Sequence, residues 1–133
     1  MRVLSLFCER FGLETYRKSV AEAPDDERRV ALDHALVCLV HGETGDDDRT
    51  VTKLVKHAKW QARKFESRCI VLHFFAHLGE DRGDPELCAR RLAAAAARLR
   101  AADYEAHVMP FGYFCRLDFG VHGESLAKVF KVL

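Results

Sequence analysis

Apolar residues along the chain follow two periods. Continuous or alternating apolar runs mark strands at Arg2–Phe7, Ala35–Val40, Cys69–Phe75, Glu105–Met109 and Tyr113–Val121, with a weaker one at Phe11–Tyr16. The run from Cys69 is apolar apart from His73 and rich in branched and aromatic side chains, as a strand covered on both faces is. A second period, near 3.6 residues, runs through Val51, Leu54, Val55, Ala58, Ala62 and Phe65 and predicts a helix ending near Ser67. Asp47, Asp48 or Thr50 can cap its start. Another helix is predicted from Asp84 as N-cap, with Pro85 at N1 and Glu86 in the first turn. Leu87, Leu92, Ala94, Ala95 and Leu99 carry it to about Asp103, supported by a run of alanines. After Gly123-Glu124-Ser125, the segment Leu126–Val132 reads as a short helix or a tail.

This order predicts a single α/β domain over residues 1–133. Ala35–Val40, Cys69–Phe75 and Glu105–Met109 are joined by helices, so they are expected to be parallel. Hairpins at the two ends, 2–7 with 11–16 and 105–109 with 113–121, make the sheet mixed. Turn signals lie at Pro24-Asp25-Asp26, in the Gly- and Asp-rich stretch 42–48, and at Pro110-Phe111-Gly112.

Composition narrows the partners. Hydrophobic residues make up 49% and charged residues 31%, which fits a folded domain and not a disordered chain. No apolar run approaches the roughly 18 residues that span a bilayer. The first residues become charged too soon for a secretory signal, so a cytoplasmic location is expected. A net charge of +1 gives no global attraction to nucleic acid. Locally the picture differs: Lys53, Lys56, Lys59, Arg63 and Lys64 make the first helix basic, and Arg90, Arg91, Arg98 and Arg100 follow on the second. Such clusters bind phosphate backbones, although a charged helix face is more often only solvated.

Seven histidines and five cysteines offer several chemistries. The cysteines are odd in number, widely spaced and without a Cys-x-x-Cys, which points to free thiols and neither to disulfides nor to a zinc ribbon. His73 and His77 are four apart, a zinc spacing on a helix but not on a strand, so no metal and no cofactor are expected. His73 is read as a hydrogen-bonded core residue. His41, His57, His107 and His122 are read as solvent or strand-edge positions. His77 stands where the buried run of residues 69–75 gives way to a polar loop, a position from which residues enter a pocket. Cys115 is a possible thiol partner for it, with an inert strand cysteine as the simpler reading. No glycine-rich phosphate loop, Gly-x-Ser-x-Gly or His-Glu-x-x-His occurs.

Two segments carry a resemblance. Phe74-Phe75-Ala76-His77-Leu78, and some thirty residues later Met109-Pro110-Phe111-Gly112-Tyr113-Phe114, resemble the paired signatures of the archaeal threonyl-tRNA synthetase editing domain: Pro-Phe-Ala-His-Leu, then Pro-Phe-Gly-Tyr and a further aromatic. The opening Met1-Arg2-Val3-Leu4 and the intervening lengths also agree, so the resemblance covers essentially the whole chain. It implies a three-layer β/β/α fold like D-aminoacyl-tRNA deacylase, with a mixed sheet, two main helices and a homodimeric assembly. It further implies hydrolysis, in trans, of a mischarged aminoacyl-tRNA such as a seryl ester on threonine tRNA. In that picture the partner is the tRNA 3′ end, water attacks the ester carbonyl, and the 2′-hydroxyl and backbone N–H groups do much of the work. Ala76 and His77 would line the pocket, Pro110, Phe111, Gly112 and Tyr113 would face them, and Gly42 and Glu43 would border the amino-acid side chain. Lys53, Lys56, Lys59, Arg63 and Lys64 would follow the tRNA backbone.

The chain departs from the family at three places. Phe7-Cys8-Glu9 stands for His-Ser-Asp, Gly42 for a small branched residue, and Cys115, followed by Arg116, for a lysine. Arg116 is expected on the opposite strand face from Cys115. The catalytic candidates are accordingly His77, Cys115 and Arg116. Two alternatives to deacylation stand: a silent tRNA- or nucleotide-binding module of the same fold, and a thiol enzyme using Cys115 with His77. With no synthetase body in the sequence, a freestanding domain or a fragment is expected.

Overall fold

A computed structural model describes all 133 residues. Arg2–Lys18 forms one strand of 17 residues, β1, and turns back into β2, Arg29–His41, in a long antiparallel hairpin running from Arg2 opposite His41 to Glu14 opposite Arg29. The two short strands expected at 2–7 and 11–16 are therefore one. Glu9 and Arg10, which lie between the two expected segments, are exposed residues in mid-strand.

Helix α1, Asp48–Lys64, leads to β3, Cys69–Phe74. Helix α2, Pro85–Ala101, leads to β4, Glu105–Val108. β2, β3 and β4 are parallel neighbours, each joined to the next through a helix. β5, Tyr113–Val121, and β6, Lys128–Val132, both pair with β1, end to end along the same strand. The sheet order is β4-β3-β2-β1-β5, with β6 beside β5 on β1.

The hairpin expected between residues 105–109 and 113–121 does not form, because β4 and β5 are the opposite ends of that order. The C-terminal segment is a turn of 3₁₀ helix, Ser125–Ala127, followed by the strand β6.

Side-chain alternation builds the layers. Along β2, Leu36, Cys38 and Val40 face the helices with Val3, Phe7, Ile70 and Leu72, and meet Leu54, Ala58, Leu92 and Leu99 there. Ala35, Val37 and Leu39 face the other way, into a second core with Phe11, Leu13, Val71 and Met109, flanked by Cys115, Leu117 and Phe119 of β5. In β1 the inward positions change parity between Cys8 and Phe11, where its pairing with β5 shifts register. His34 of β2, opposite this stretch, holds a left-handed φ of 51°. The outer half of the β1–β2 hairpin, with β5, thus folds over the central sheet. The result is helices, sheet and sheet: a three-layer β/β/α fold.

Both helices start as expected. Asp47 caps α1 in a reciprocal capping box with Thr50, and Asp84 accepts from the Glu86 and Leu87 amides at 2.8 and 3.2 Å. Leu87 and Ala94, expected inside, are exposed; Cys88, Leu92, Ala95, Ala96 and Leu99 form the buried face. All five cysteines are free. No helix is long and apolar enough to cross a membrane.

Candidate functional site

The end of β3 and the turn before β5 enclose a cleft of about 290 Å³ between the sheet layers. Its first wall is His73–His77, where the ladder of β3 runs out. Phe75 still donates its amide to the Val40 carbonyl at 2.8 Å, after which the chain leaves the sheet. Its second wall is Pro110–Cys115 with Leu117. Ser19 and Val20 of the β1–β2 connection and Pro85 at the head of α2 close the sides.

The second wall is held from outside. Gly112 has φ of 77°, and a Cβ there would stand 2.4 Å from that of Ala23, so the turn admits only glycine. Its carbonyl accepts the Ser19 and Val20 amides at 2.7 and 3.2 Å. The Tyr113 hydroxyl accepts the Asp26 amide at 3.0 Å. One guanidinium, that of Arg28, pairs with Asp26 and donates to the Val108 carbonyl, at 2.9 Å in each case. Phe111 meets Phe74 edge-on at 6.4 Å across the cleft.

Of the residues expected in the site, Ala76, His77, Pro110, Phe111, Gly112, Tyr113 and Cys115 all line this cleft. The His77 side chain is exposed, with its ring edge-on to Phe75 at 4.9 Å. The Ala76 and His77 amides enter none of the chain's hydrogen bonds. Cys115 points inward, and its Sγ lies 3.8 Å from the Tyr113 carbonyl. Burial pushes its thiol pKa up, against a smaller opposing effect of Arg28. A protonated thiol with no hydrogen-bonded base is a poor nucleophile. Arg116 is on the outer face, as alternation requires, with its guanidinium 3.6 Å from Asp118 and away from the cleft.

Gly42 and Glu43 do not line the cleft. Gly42 is packed so closely on Cys88 that a Cβ would approach its sulfur to 2.9 Å, and its carbonyl accepts the Gly83 amide. Glu43 pairs with the Met1 ammonium at 2.8 Å and with Arg2 at 3.3 Å. The basic residues of α1 are also apart from the cleft. Lys53 and Lys56 border a surface hollow with His57, Trp60 and Lys131, while Lys64 lies over the Trp60 ring and Arg63 reaches the Tyr104 hydroxyl.

Three histidines differ from expectation. His73 is 7% exposed and lines the cleft, but its Nδ1 has no hydrogen-bond partner; burial lowers its pKa to about 4, so the ring is neutral. The apolar run around it masked a buried polar ring among the residues that line the cleft. Only its parity along β3, shared with Val71, could have revealed this. His41 is fully buried. It accepts the Leu78 amide at Nδ1 and therefore donates from Nε2 to the Asp81 carbonyl, which fixes the loop after His77. His57 is buried against Ser5. Because the Ser5 hydroxyl donates to Gln61, the His57 Nε2–H must be the donor to Ser5, at 2.9 Å.

The layered architecture and the cleft between its sheets define a domain of the D-aminoacyl-tRNA deacylase-like fold class. A solved structure titled c-Myc DNA Unwinding Element Binding Protein superposes with a TM-score of 0.67 at 10% identity, covering 100% of this chain and 99% of the other. Residues 1–133 match the family model described as the Archaea-specific editing domain of threonyl-tRNA synthetase, and the chain belongs to that family. It is 27% identical over 137 residues to a threonine–tRNA ligase of Thermofilum pendens, covering 100% of this chain and 22% of that protein. It is 26% identical over 131 residues to a threonine–tRNA ligase editing subunit of Aeropyrum pernix, covering 97% of this chain and 31% of the relative. The chain thus spans between a fifth and a third of the length of these relatives.

Proposed function

We propose that the chain hydrolyses the ester of a mischarged aminoacyl-tRNA in trans, a seryl ester on threonine tRNA first, as a proofreading step in translation. The carrying observation is that both halves of the family's paired motif meet in one cleft, where the Ala76 and His77 amides and the His73 ring have no hydrogen-bond partner within the chain. Phe74, Phe111 and Tyr113 offer aromatic surface to the terminal adenosine. The free Ala76 and His77 amides are donors for the carbonyl oxygen as it gains charge. His77 orients the attacking water at the exposed mouth. On the floor, the neutral His73 ring supplies a polar contact for a substrate hydroxyl, the kind of contact that separates serine from side chains lacking one. Water adds to the carbonyl, the ester C–O bond breaks, and the free amino acid and the tRNA 3′ end leave. Lys53, Lys56, Lys59, Arg63 and Lys64 lie against phosphates of the tRNA body, and the exposed Tyr16 and Phe114 on neighbouring strands are the surface for a second copy.

Deacylation of seryl-tRNA(Thr) by the purified chain tests this. Wild type is expected to turn over, His73→Ala to lose about tenfold or more, and Cys115→Ser to stay close to wild type, since its thiol is protonated. Binding of tRNA without hydrolysis of any mischarged tRNA would overturn the proposal.

The family-lysine position occupied by Cys115 favours a second reading, a silent binding module of the same fold. Activity that appears only in Cys115→Lys is its signature. The thiol-enzyme reading requires a thiolate that burial disfavours.

A further inference from the structure

At the far edge of the sheet, away from the cleft, three metal-binding side chains converge. Cys69 opens β3, and Glu105, its direct register partner, opens β4. His107 is two residues further along β4 and so shares a face with Glu105. The cysteine sulfur, a carboxylate oxygen and an imidazole nitrogen all lie within 4.8 Å of one another, and Nε2 of His107 is 3.1 Å from Oε1 of Glu105. That nitrogen is buried and makes no well-aligned hydrogen bond. None of the three residues lines the cleft.

We propose that Cys69, Glu105 and His107 form a binding site for a divalent transition metal of the zinc class. A sulfur and an imidazole beside one carboxylate favour zinc or cobalt over magnesium or calcium, which prefer all-oxygen sets. Three protein ligands leave one tetrahedral position for water or a further donor. The position is reachable because β4 is the sheet edge, where the Glu105 side chain is 66% and the His107 side chain 32% exposed. Cys69 and Glu105 are preset by the parallel ladder, so ligation needs side-chain rotation and not strand movement. On ligation the thiol proton leaves to solvent and the sulfur binds as thiolate. The ion joins the start of β3 to a four-residue strand that runs through Met109 into Pro110–Gly112, part of the cleft wall. Its role is therefore to steady that wall.

Titration of the untagged full chain with cobalt(II) tests the site. One equivalent is expected to bind with a thiolate-to-cobalt charge-transfer band, to be displaced by zinc, and to raise the melting temperature. Cys69→Ser should abolish the band, and Glu105→Gln and His107→Gln should each weaken binding about tenfold or more. No charge-transfer band in wild type, or a band that survives Cys69→Ser, would overturn the assignment and leave an edge-strand ion pair beside a free thiol.

Discussion

Two loops leave the carboxyl ends of neighbouring parallel strands and end in opposite conditions. After β2, the stretch Gly42–Asp46 is saturated. Asp46 holds the buried Met1 ammonium at 2.5 Å and accepts the Glu43 amide at 2.7 Å, Arg91 donates to the Asp46 carbonyl, and Thr44 is bonded to Asp81. At the end of β3 and just beyond it, the His73 ring and the Ala76 and His77 amides are unengaged. Of these, the His73 ring is the buried one, and a buried polar group without a partner is costly, so a chain retains few without a use for them. The difference separates a loop used as a brace from one left open for contacts, although the family pattern set both beside the pocket.

Acid should produce the largest effect on this contrast. His57 and His73 are both held neutral by burial, with pKa values lowered to about 4 from an ordinary 6.5, and Lys131 adds to the effect at His57. Because the unfolded chain binds these protons more readily, the stability is fully present above pH 6.5. It is lost as pH falls toward 4, with a slope of up to about 2.7 kcal/mol per pH unit for the two together. Chemical denaturation across that window measures the slope, and His73→Phe should remove about half of it. An unchanged slope would mean that the ring is already solvated from the cleft.

Asp46→Ala comes next. It strips the Met1 ammonium of its more buried partner and leaves the Glu43 amide unpaired, with an expected loss of about 2–3 kcal/mol. Deacylation by the protein that remains folded should be nearly unchanged, as expected of a brace. A selective loss of turnover with intact stability would make this loop part of the site after all.

Gly112→Ala should cost about 2 kcal/mol, from the left-handed backbone and the Ala23 contact. Unlike Asp46→Ala, it should also reduce kcat at temperatures where the variant is folded, because the turn forms one wall of the cleft.

Much of the helix–sheet half was legible in the sequence because it is built by local rules. Capping by Asp47 and Asp84, the 3.6-residue period of α1, and parallel strands linked by helices each follow from a few neighbouring residues. The second sheet layer was not legible. That β1 continues through Glu9 and Arg10 depends on pairing with β2 on one side and with the distant β5 on the other, and the turn at 110–112 looked like a hairpin because turn chemistry does not reveal which strands it joins. In the site, the paired motifs identified both walls of the cleft. His41 and His57 were read as exposed because a histidine's burial is decided by what packs on it, here Leu78 with Asp81, and Ser5. Gly42 and Glu43 were expected at the pocket from the family pattern alone, and the Met1 ammonium and Cys88 that occupy them are tertiary neighbours.

The pairing of β1 with β6, from Arg2 opposite Val132 to Leu6 opposite Lys128, has a consequence for how the chain is made. β1 cannot complete its ladder until β6, far later in the chain, has been synthesised. Helices and the β2–β3 pair can assemble early, while one edge of β1 waits with its backbone donors open. Such long-range closure makes folding slow relative to helical domains of this size, and the waiting strand is where a nascent chain would engage a chaperone or, without one, another copy of itself.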